Sequence, residues 1–595
     1  MAFDALTLKA ALDEMQQIVG GRIQKVYQTT TANHYTLSVY RRAKNYQIMI
    51  STHRQDARLH LTRRHYTHPR QPNDFCMTLR KHLNSGIITA VHQHGWDRIA
   101  KIQVENYDDL GRKRKLTLIA ETMGRFSNLL LINESEENKP IIAASRRASG
   151  DQNPHRTVLP GHPYKLPPQK DAITPPNLHP EDLFQRAAEA DDDIPAWLWM
   201  VRNVAGPGPK EAQRILAEIE IDPEGEVPTD QDDLRQLVDK IAYCATVAEK
   251  QQWQPWMRKD SSPEEGPNLP RSIEYGVLPQ KRDSEVRIFP DVSHLLDAHY
   301  ALQQQWNTYE SLKKKLTKEL ESAYKKVEKK IKRQKSDLAR ASDAEKYKKW
   351  GELLTAYMYQ VPEGAEKVTL PDYYQDGKPT EIPLDPKKSP SKNASNYFDH
   401  HRKMERTQKK AKIQIRRSQH ELRYVDSLRD QAERAENLPE LRAIRDEAKK
   451  GGYLQTDSSQ RSKTARSSPP RPYYTYITPS GDKVLVGRNN RGNDHLTMRK
   501  ASREDYWFHV QDIAGAHVII PGKRELTEQL KEEAALLAAY HSAGRHSSNV
   551  AVDYTKVKYV KKPKGAKPGM VTYRNHQTIF VTPPRKLEGF RRKKG

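Results

Sequence analysis

Two cysteines, Cys76 and Cys244, are all that this chain of 595 residues contains. That is too few for a disulfide framework or a cysteine-ligated zinc site, and it fits a reducing compartment. No run of about 18 apolar residues occurs, and a mean hydropathy of -0.91 argues against a membrane span. The start, Met1-Ala2-Phe3-Asp4, has an acid where a secretory signal carries its basic region, and no apolar stretch follows. A cytoplasmic protein with no membrane partner is expected. The simplest enzyme signatures are also missing: no Gly-x4-Gly-Lys-Ser/Thr loop, no His-Glu-x-x-His helix and no Gly-x-Ser-x-Gly elbow. Nucleotide hydrolysis, zinc proteolysis and serine hydrolysis thereby lose their plainest support. His92-x-His94 could ligate a metal, but without a third ligand of sensible spacing surface or packing use is expected, so neither metal nor cofactor is implied.

What the chain does have is positive charge: 101 basic against 76 acidic residues, a net +25. Such a balance points to polyanions, and nucleic acid is the first partner to consider. Much of the lysine lies in two long helical patterns, about 295 to 340 and 395 to 450. In the first, Tyr309, Leu312, Leu316, Leu320, Tyr324, Val327 and Ile331 recur at three- and four-residue steps, with Lys313 to Lys315, Lys325, Lys326, Lys329 and Lys330 on the other faces. The second returns with Leu422, Val425, Leu428, Ala432 and Ala435. Two such helices can pack antiparallel into a rod on the order of 70 Å long, or pair between chains. The insert between them favours the intramolecular pair, with a tip hairpin around Asp376-Gly377.

The remaining chain divides around this arm. Residues 1 to 175 read as an α+β domain, with helices at Leu6 to Val19 and Phe75 to Leu83 and strands at 22–28, 35–40, 46–50, 99–104, 116–121 and 129–132. Residues 176 to 252 are helical. There Gly206-Pro207-Gly208-Pro209-Lys210 forms a hairpin at a helix start, which either aims free N–H groups at a phosphate or simply connects two helices. A β-containing connector is expected over 253–290, the arm over 291–450 with its tip insert at 345–390, and a flexible linker over 451–472. The last module, 473 to 584, alternates strands with one clear helix, and 585–595 is a mobile basic tail.

Three clusters could carry recognition. Asp97 and Arg98 stand side by side at a strand start, where neighbours point to opposite faces; recognition and structural pairing are both open. Glu121, Met123, Gly124, Arg125, Ser127 and Asn128 fall between two strands, as a plain hairpin turn or a phosphate or ribose contact. In the last module Asp505, Trp507, His509, Asp512 and His517, with Lys558, Lys561 and Lys562, suit an RNA surface, and half-buried sheets contain the same residue types.

Taken together, Gly20-Gly21-Arg22-Ile23, Leu79-Arg80-Lys81-His82-Leu83, Asp97-Arg98, Glu121-x-Met123-Gly124-Arg125-x-Ser127-Asn128, Pro160-Gly161 with Tyr164 and Pro167-Pro168, Asn393-Ala394 with Tyr397-Phe398, and Asp505-x-Trp507-x-His509 through His517-Val518 resemble the NFACT family over nearly the whole chain. The resemblance implies an α+β multidomain protein: an NFACT-N domain similar in fold to a DNA glycosylase N-domain, a helix-hairpin-helix domain, a long antiparallel coiled coil and an α/β NFACT-R RNA-binding domain. It implies ribosome quality control. The chain would engage a large ribosomal subunit and its rRNA still holding peptidyl-tRNA and nascent chain, bring in alanine tRNA, and promote untemplated alanine tailing as a monomeric adaptor, the subunit doing the chemistry. Asp97 and Arg98 match the family's tRNA-engaging pair. Where the family usually has Gly-Ser-His, this chain has Gly515-Ala516-His517, and Tyr40 to Arg42 and Tyr66 to His68 also depart from its pattern. Two rivals remain. A DNA-repair glycosylase would need an N-terminal proline followed by glutamate, which Met1-Ala2-Phe3 lacks, and a fibronectin-binding surface adhesin would need a signal or wall anchor.

Overall fold

The first helix, α1 (Ala5–Met15), begins where Asp4 caps it by accepting the Thr7 N–H at 2.8 Å. Its Leu6, Leu8, Leu12 and Met15 are buried, and the chain turns away at Gly20, whose φ of 84° favours glycine. The computed structural model describes residues 3–149, 156–168, 171–191, 193–259, 273–280, 285–340, 343–455, 471–522 and 525–593. Nine strands follow α1: β1 (Arg22–Gln28), β2 (His34–Arg41), β3 (Lys44–Ser51), β4 (Arg58–Leu61), then α2 (Asp74–Leu83), then β5 (Ile87–Gln93), β6 (Ile99–Tyr107), β7 (Lys113–Glu121), β8 (Asn128–Asn133) and β9 (Ile141–Ala144). They form one sheet in the order β4-β3-β2-β1-β5-β6-β7-β8-β9, with antiparallel neighbours throughout. β4, β5 and β9 escape sequence reading: β4 buries Arg58 and His60, and β9 is four residues long, so neither shows the apolar alternation of a strand.

Four helices come next: α3 (Pro180–Ala188), α4 (Ala196–Asn203), α5 (Pro209–Glu218) and α6 (Gln231–Glu249). A small sheet of β10 (Trp256–Lys259), β11 (Ile273–Gly276) and β12 (Val286–Ile288) then leads into α7 (Val292–Arg340). One continuous apolar core runs from Leu8, Ile102 and Leu129 through Trp199, Leu216 and Leu237 to Leu295 and Tyr300. The chain divides into two compact units, 1–306 and 307–595.

In the second unit α7 pairs with α9 (Pro390–Arg434), which returns after α8 (Ala344–Ala356) and the hairpin β13 (Lys367–Asp372) and β14 (Lys378–Pro383). The Tyr309 hydroxyl donates to the Ala435 carbonyl at 2.6 Å, Arg429 pairs with Glu321 at 2.7 Å, and Lys330 reaches Glu421 at 3.1 Å. Position rises on one helix as it falls on the other, so the pair is antiparallel and within one chain, as the insert suggested. Leu316, Leu320, Val327 and Ile331 on α7 and Ala411, Ile415, Val425 and Leu428 on α9 are buried, as the apolar positions of a two-helix seam are. The second pattern does not run unbroken to 450. It stops at Arg434, and Asn437 caps a separate α10 (Leu438–Lys450) by accepting the Glu440 N–H at 3.0 Å. The linker expected at 451–472 falls mostly outside the described residues.

The last module comprises β15 (Tyr473–Ile477), β16 (Lys483–Gly487), α11 (Asn490–His495), β17 (Tyr506–Val510), β18 (Val518–Ile520), α12 (Glu528–Tyr540), β19 (Val550–Lys556), β20 (Val560–Lys561), β21 (Thr572–Tyr573), β22 (Gln577–Val581) and β23 (Arg591–Arg592). Its main sheet runs β22-β19-β17-β18-β16-β15-β23, and β20 pairs with β21. The basic tail is corrected here. Arg591 and Arg592 pair with β15, and the Arg592 guanidinium grips both oxygens of Glu436 at 2.8 Å, a planar fork that holds a carboxylate bidentately. The module is also fastened to α10: Glu447, almost fully buried, accepts from the Tyr424 hydroxyl at 2.7 Å and the Asn490 amide at 3.1 Å.

Burial drives the His509 imidazole down to about 4 and that of His541 to about 3, and holds His517 well below the usual histidine range. The folded module keeps all three neutral, while the unfolded chain takes up their protons below about pH 6.5. Stability is therefore present above that pH and is lost as the pH falls toward 4. Glu447, raised by burial, acts in the opposite sense. Urea unfolding of the intact chain should show lower stability at about pH 5 than at about pH 7, and His541→Gln should flatten that dependence.

Candidate nucleic-acid interface

β5 and β6 are joined by a turn in which Gly95 has a φ of 56°, the His94 N–H donates to the Ile99 carbonyl at 2.9 Å and the Asp97 N–H to the His94 carbonyl at 3.1 Å. Asp97 and Arg98 lie in this turn, ahead of the strand that starts at Ile99, so the expected opposition of strand neighbours does not apply. The Asp97 carboxylate accepts the Arg98 N–H at 2.7 Å. The Gln93 amide ties the Asp97 carbonyl to that of Ala5, and Thr122 donates its N–H and hydroxyl to the Arg98 carbonyl at 2.9 and 3.0 Å. Both side chains are half-buried.

This turn faces the hairpin between α4 and α5 across a cavity of about 440 Å³, lined by Trp96, Asp97, Arg98, Met123 and the stretch from Val204 to Pro209. The sequence presents turn and hairpin as separate features more than a hundred residues apart. The fold makes them two walls of one site. Gly206, with a φ of 111°, lets the backbone approach the Trp96 ring, where an added Cβ would stand 3.2 Å from the indole. At Gly208 a Cβ would meet that of Asp4 at 2.8 Å.

Asp4 escapes sequence reading as a site residue. Its buried carboxylate accepts from the Thr7 N–H and hydroxyl, both at 2.8 Å, and from the Gly208 N–H at 3.0 Å. The premise of a free hairpin donor is corrected: the Gly208 N–H already has an internal carboxylate, Pro209 has no N–H to offer, and Lys210 stands exposed. Burial raises the Asp4 pKa, against which its hydrogen bonds and the Arg98 charge act. The available signal was the pattern of an acid just before an apolar helix.

The neighbouring loop separates into supports and presented groups. Glu121 is fully buried, where its carboxylate accepts from Arg156 at 2.7 Å and the Tyr164 hydroxyl at 3.0 Å. Ser127 is buried, and Asn128 binds the Leu129 and Arg146 N–H groups, the Ser145 hydroxyl and the Arg146 carbonyl at 2.8 to 3.0 Å. Gly124 is buried with a φ of 60°. Direct RNA contact by these four is therefore corrected to a supporting role, because their polar groups are consumed inside the domain or closed off from solvent. Met123 reaches the cavity and Arg125 is exposed.

Among the C-terminal candidates, Asp505, Trp507 and His517 are corrected in the same way. Trp507 is fully buried, because its sheet is covered on both faces: α12 lies against Phe508 and Val510, while Leu485, Leu496, Ile519 and Val560 enclose Trp507. His517 is buried against the Thr497 hydroxyl at 2.7 Å, half-buried His509 stacks on Trp507 at 5.7 Å, and Asp505 accepts the Ser502 and Gly522 N–H groups. Lys558 pairs with Glu504 at 2.9 Å and Lys562 with Asp494. Asp512, with a φ of 54°, and Lys561 remain exposed. Among the described residues no group of three or more His, Cys, Asp or Glu could hold a metal ion, and no helix is long and apolar enough to cross a membrane.

The two kinds of residue should separate in the test tube. Glu121→Ala strands the Arg156 charge beside the Tyr164 hydroxyl and should cost about 3 kcal/mol. Asp97→Ala/Arg98→Ala, with side chains only half-buried, should cost about 1 kcal/mol or less. Urea unfolding of the intact chain measures both.

Two family models match: the NFACT N-terminal and middle domains over residues 4–467, and the NFACT protein RNA binding domain over residues 472–575. The chain is 33% identical over 590 residues to the Rqc2 homolog RqcH of Bacillus subtilis, covering 98% of each, and 32% identical over 585 residues to that of Streptococcus suis, again 98% of each. A solved structure of the N-terminal part of the fibronectin/fibrinogen-binding protein from Streptococcus suis aligns at 27% identity with a TM-score of 0.39, over 50% of this chain and 99% of that one. With both models matched in order and nearly the whole chain aligned, the protein belongs to the NFACT family.

Proposed function

We propose that this chain is a ribosome quality control factor, an RNA-binding adaptor and not itself the catalyst of peptide bond formation. It engages a large ribosomal subunit that still carries peptidyl-tRNA, recruits alanine tRNA and promotes untemplated C-terminal alanine tailing of the stalled chain, with the subunit's peptidyl-transferase centre doing the chemistry. The observation that carries this reading is the joining of Asp97, Arg98 and the Gly206 to Gly208 hairpin around one cavity, in a chain aligned over 98% of its length with proteins named Rqc2 homolog RqcH. An arginine beside a carboxylate in a half-buried turn can bind phosphate or a base edge, and the net charge of +25 adds sequence-independent attraction to RNA. The first sheet then corresponds to the glycosylase-like NFACT-N domain and the helices α3 to α6 to the helix-hairpin-helix domain. The lysine-rich outer faces of the paired helices are the ribosome contact.

The test uses purified chain, large subunits bearing peptidyl-tRNA, and alanine tRNA. Asp97→Ala/Arg98→Ala should weaken tRNA capture about tenfold or more, since charge-assisted hydrogen bonds are worth about 1.5–3 kcal/mol each, and alanine tails should vanish with it. Capture and tailing at the wild-type level would remove the site from the reading.

A further inference from the structure

Phe126 stands out in the loop between β7 and β8. The residue is 64% exposed, although Gly124 before it and Ser127 and Asn128 after it are buried. A phenyl ring left in water on a mobile loop would mean little, but this loop is held at several points. Gly124 to Phe126 form a single 3-10 turn, Asn128 is bonded through both ends of its amide, and the Arg146 guanidinium donates to the Arg125 carbonyl. The Arg125 guanidinium lies over the Phe126 ring at 4.6 Å from its centroid, a cation–π contact that orients the ring and adds charge to it. Four residues earlier, Thr122 is bonded twice to the Arg98 carbonyl, so the ring is carried by the same loop that braces the Asp97 and Arg98 turn.

We infer that Phe126, backed by Arg125, is a stacking platform for an unpaired RNA base beside the Asp97 and Arg98 site. An exposed ring gains most from a flat partner that has a free face. Bases in a loop or at an end have one, whereas bases inside a duplex are already stacked. The surroundings are cationic, with Arg125, Arg146 and Arg147 all exposed. That suits a phosphate-bearing ligand better than an apolar protein partner, which needs a contiguous apolar patch. The inference rests on the reading that this face receives tRNA and narrows it: the loop recognises single-stranded nucleotides, with Phe126 as a binding residue in addition to Asp97 and Arg98.

The test titrates the full chain into a short RNA hairpin carrying 2-aminopurine in its loop, and separately into a blunt duplex with the same stem. Wild-type chain should quench the 2-aminopurine on binding. Phe126→Ala should bind the hairpin about 5- to 100-fold more weakly and lose the quench, Phe126→Trp should retain both, and duplex binding should change less than about twofold in either variant. Because the ring is exposed, both variants should keep the wild-type urea midpoint. Hairpin binding by Phe126→Ala at the wild-type level, equal weakening on hairpin and duplex, or no RNA binding by the wild type would each overturn the inference. If tailing still depends on Asp97 and Arg98 while Phe126→Ala binds normally, the stacking inference alone falls. If tailing is indifferent to Asp97 and Arg98, the broader reading falls.

Discussion

One buried carboxylate organises the candidate site. Asp4 caps α1 with two bonds to Thr7 and accepts the Gly208 N–H from a segment some two hundred residues later. An acid taken out of water is tolerated only where donors converge on it, and here the donors come from α1 and from the hairpin that forms one wall of the cavity. The first helix, the sheet it covers and the hairpin are thereby placed together. The glycine at 208 follows from the same contact, since any side chain would collide with Asp4.

Each of the two units, taken by itself, solves a similar problem by similar means. In the first, Glu121 is satisfied by Arg156 and Tyr164, and Asn128 by the strand beside it, so the loop carrying Met123, Arg125 and Phe126 is held from behind. In the second, Glu436, Glu440 and Glu447 near α10 receive Arg592, Tyr474, Tyr424 and Asn490, which makes the RNA-binding domain and the base of the paired helices one continuous structure. Buried acids meeting arginine, tyrosine and amide partners demand a particular geometry. A surface of lysines alone would not.

The fold was legible wherever local pattern decides it. α1, α2, the paired helices, the hairpin turn at Asp376-Gly377 and most strands of the first sheet announce themselves by period, caps and turn residues. β4 was not legible, because burying Arg58 and His60 reverses the usual pattern. Nor was the break after Arg434, which a capping asparagine and a following proline impose on an otherwise helical stretch. Among the site residues, Asp97, Arg98, Met123 and Arg125 keep access to the cavity or to solvent. Trp507 and Glu121, equally suggestive as letters, are enclosed.

The sequence by itself determined the pull toward polyanions and the arm: a net +25 charge is fixed by composition, and an apolar stripe on a helix is fixed by spacing. Motif order along the chain was enough to suggest the family. Only the tertiary structure decided which motif residues keep access to the cavity or to solvent, that turn and hairpin share a cavity, that the terminal arginines close onto a sheet and that Phe126 is left uncovered. The reason is physical: charge and periodicity are sums and spacings along the chain, whereas exposure depends on which distant segments come to lie against a residue, and no local pattern carries that information.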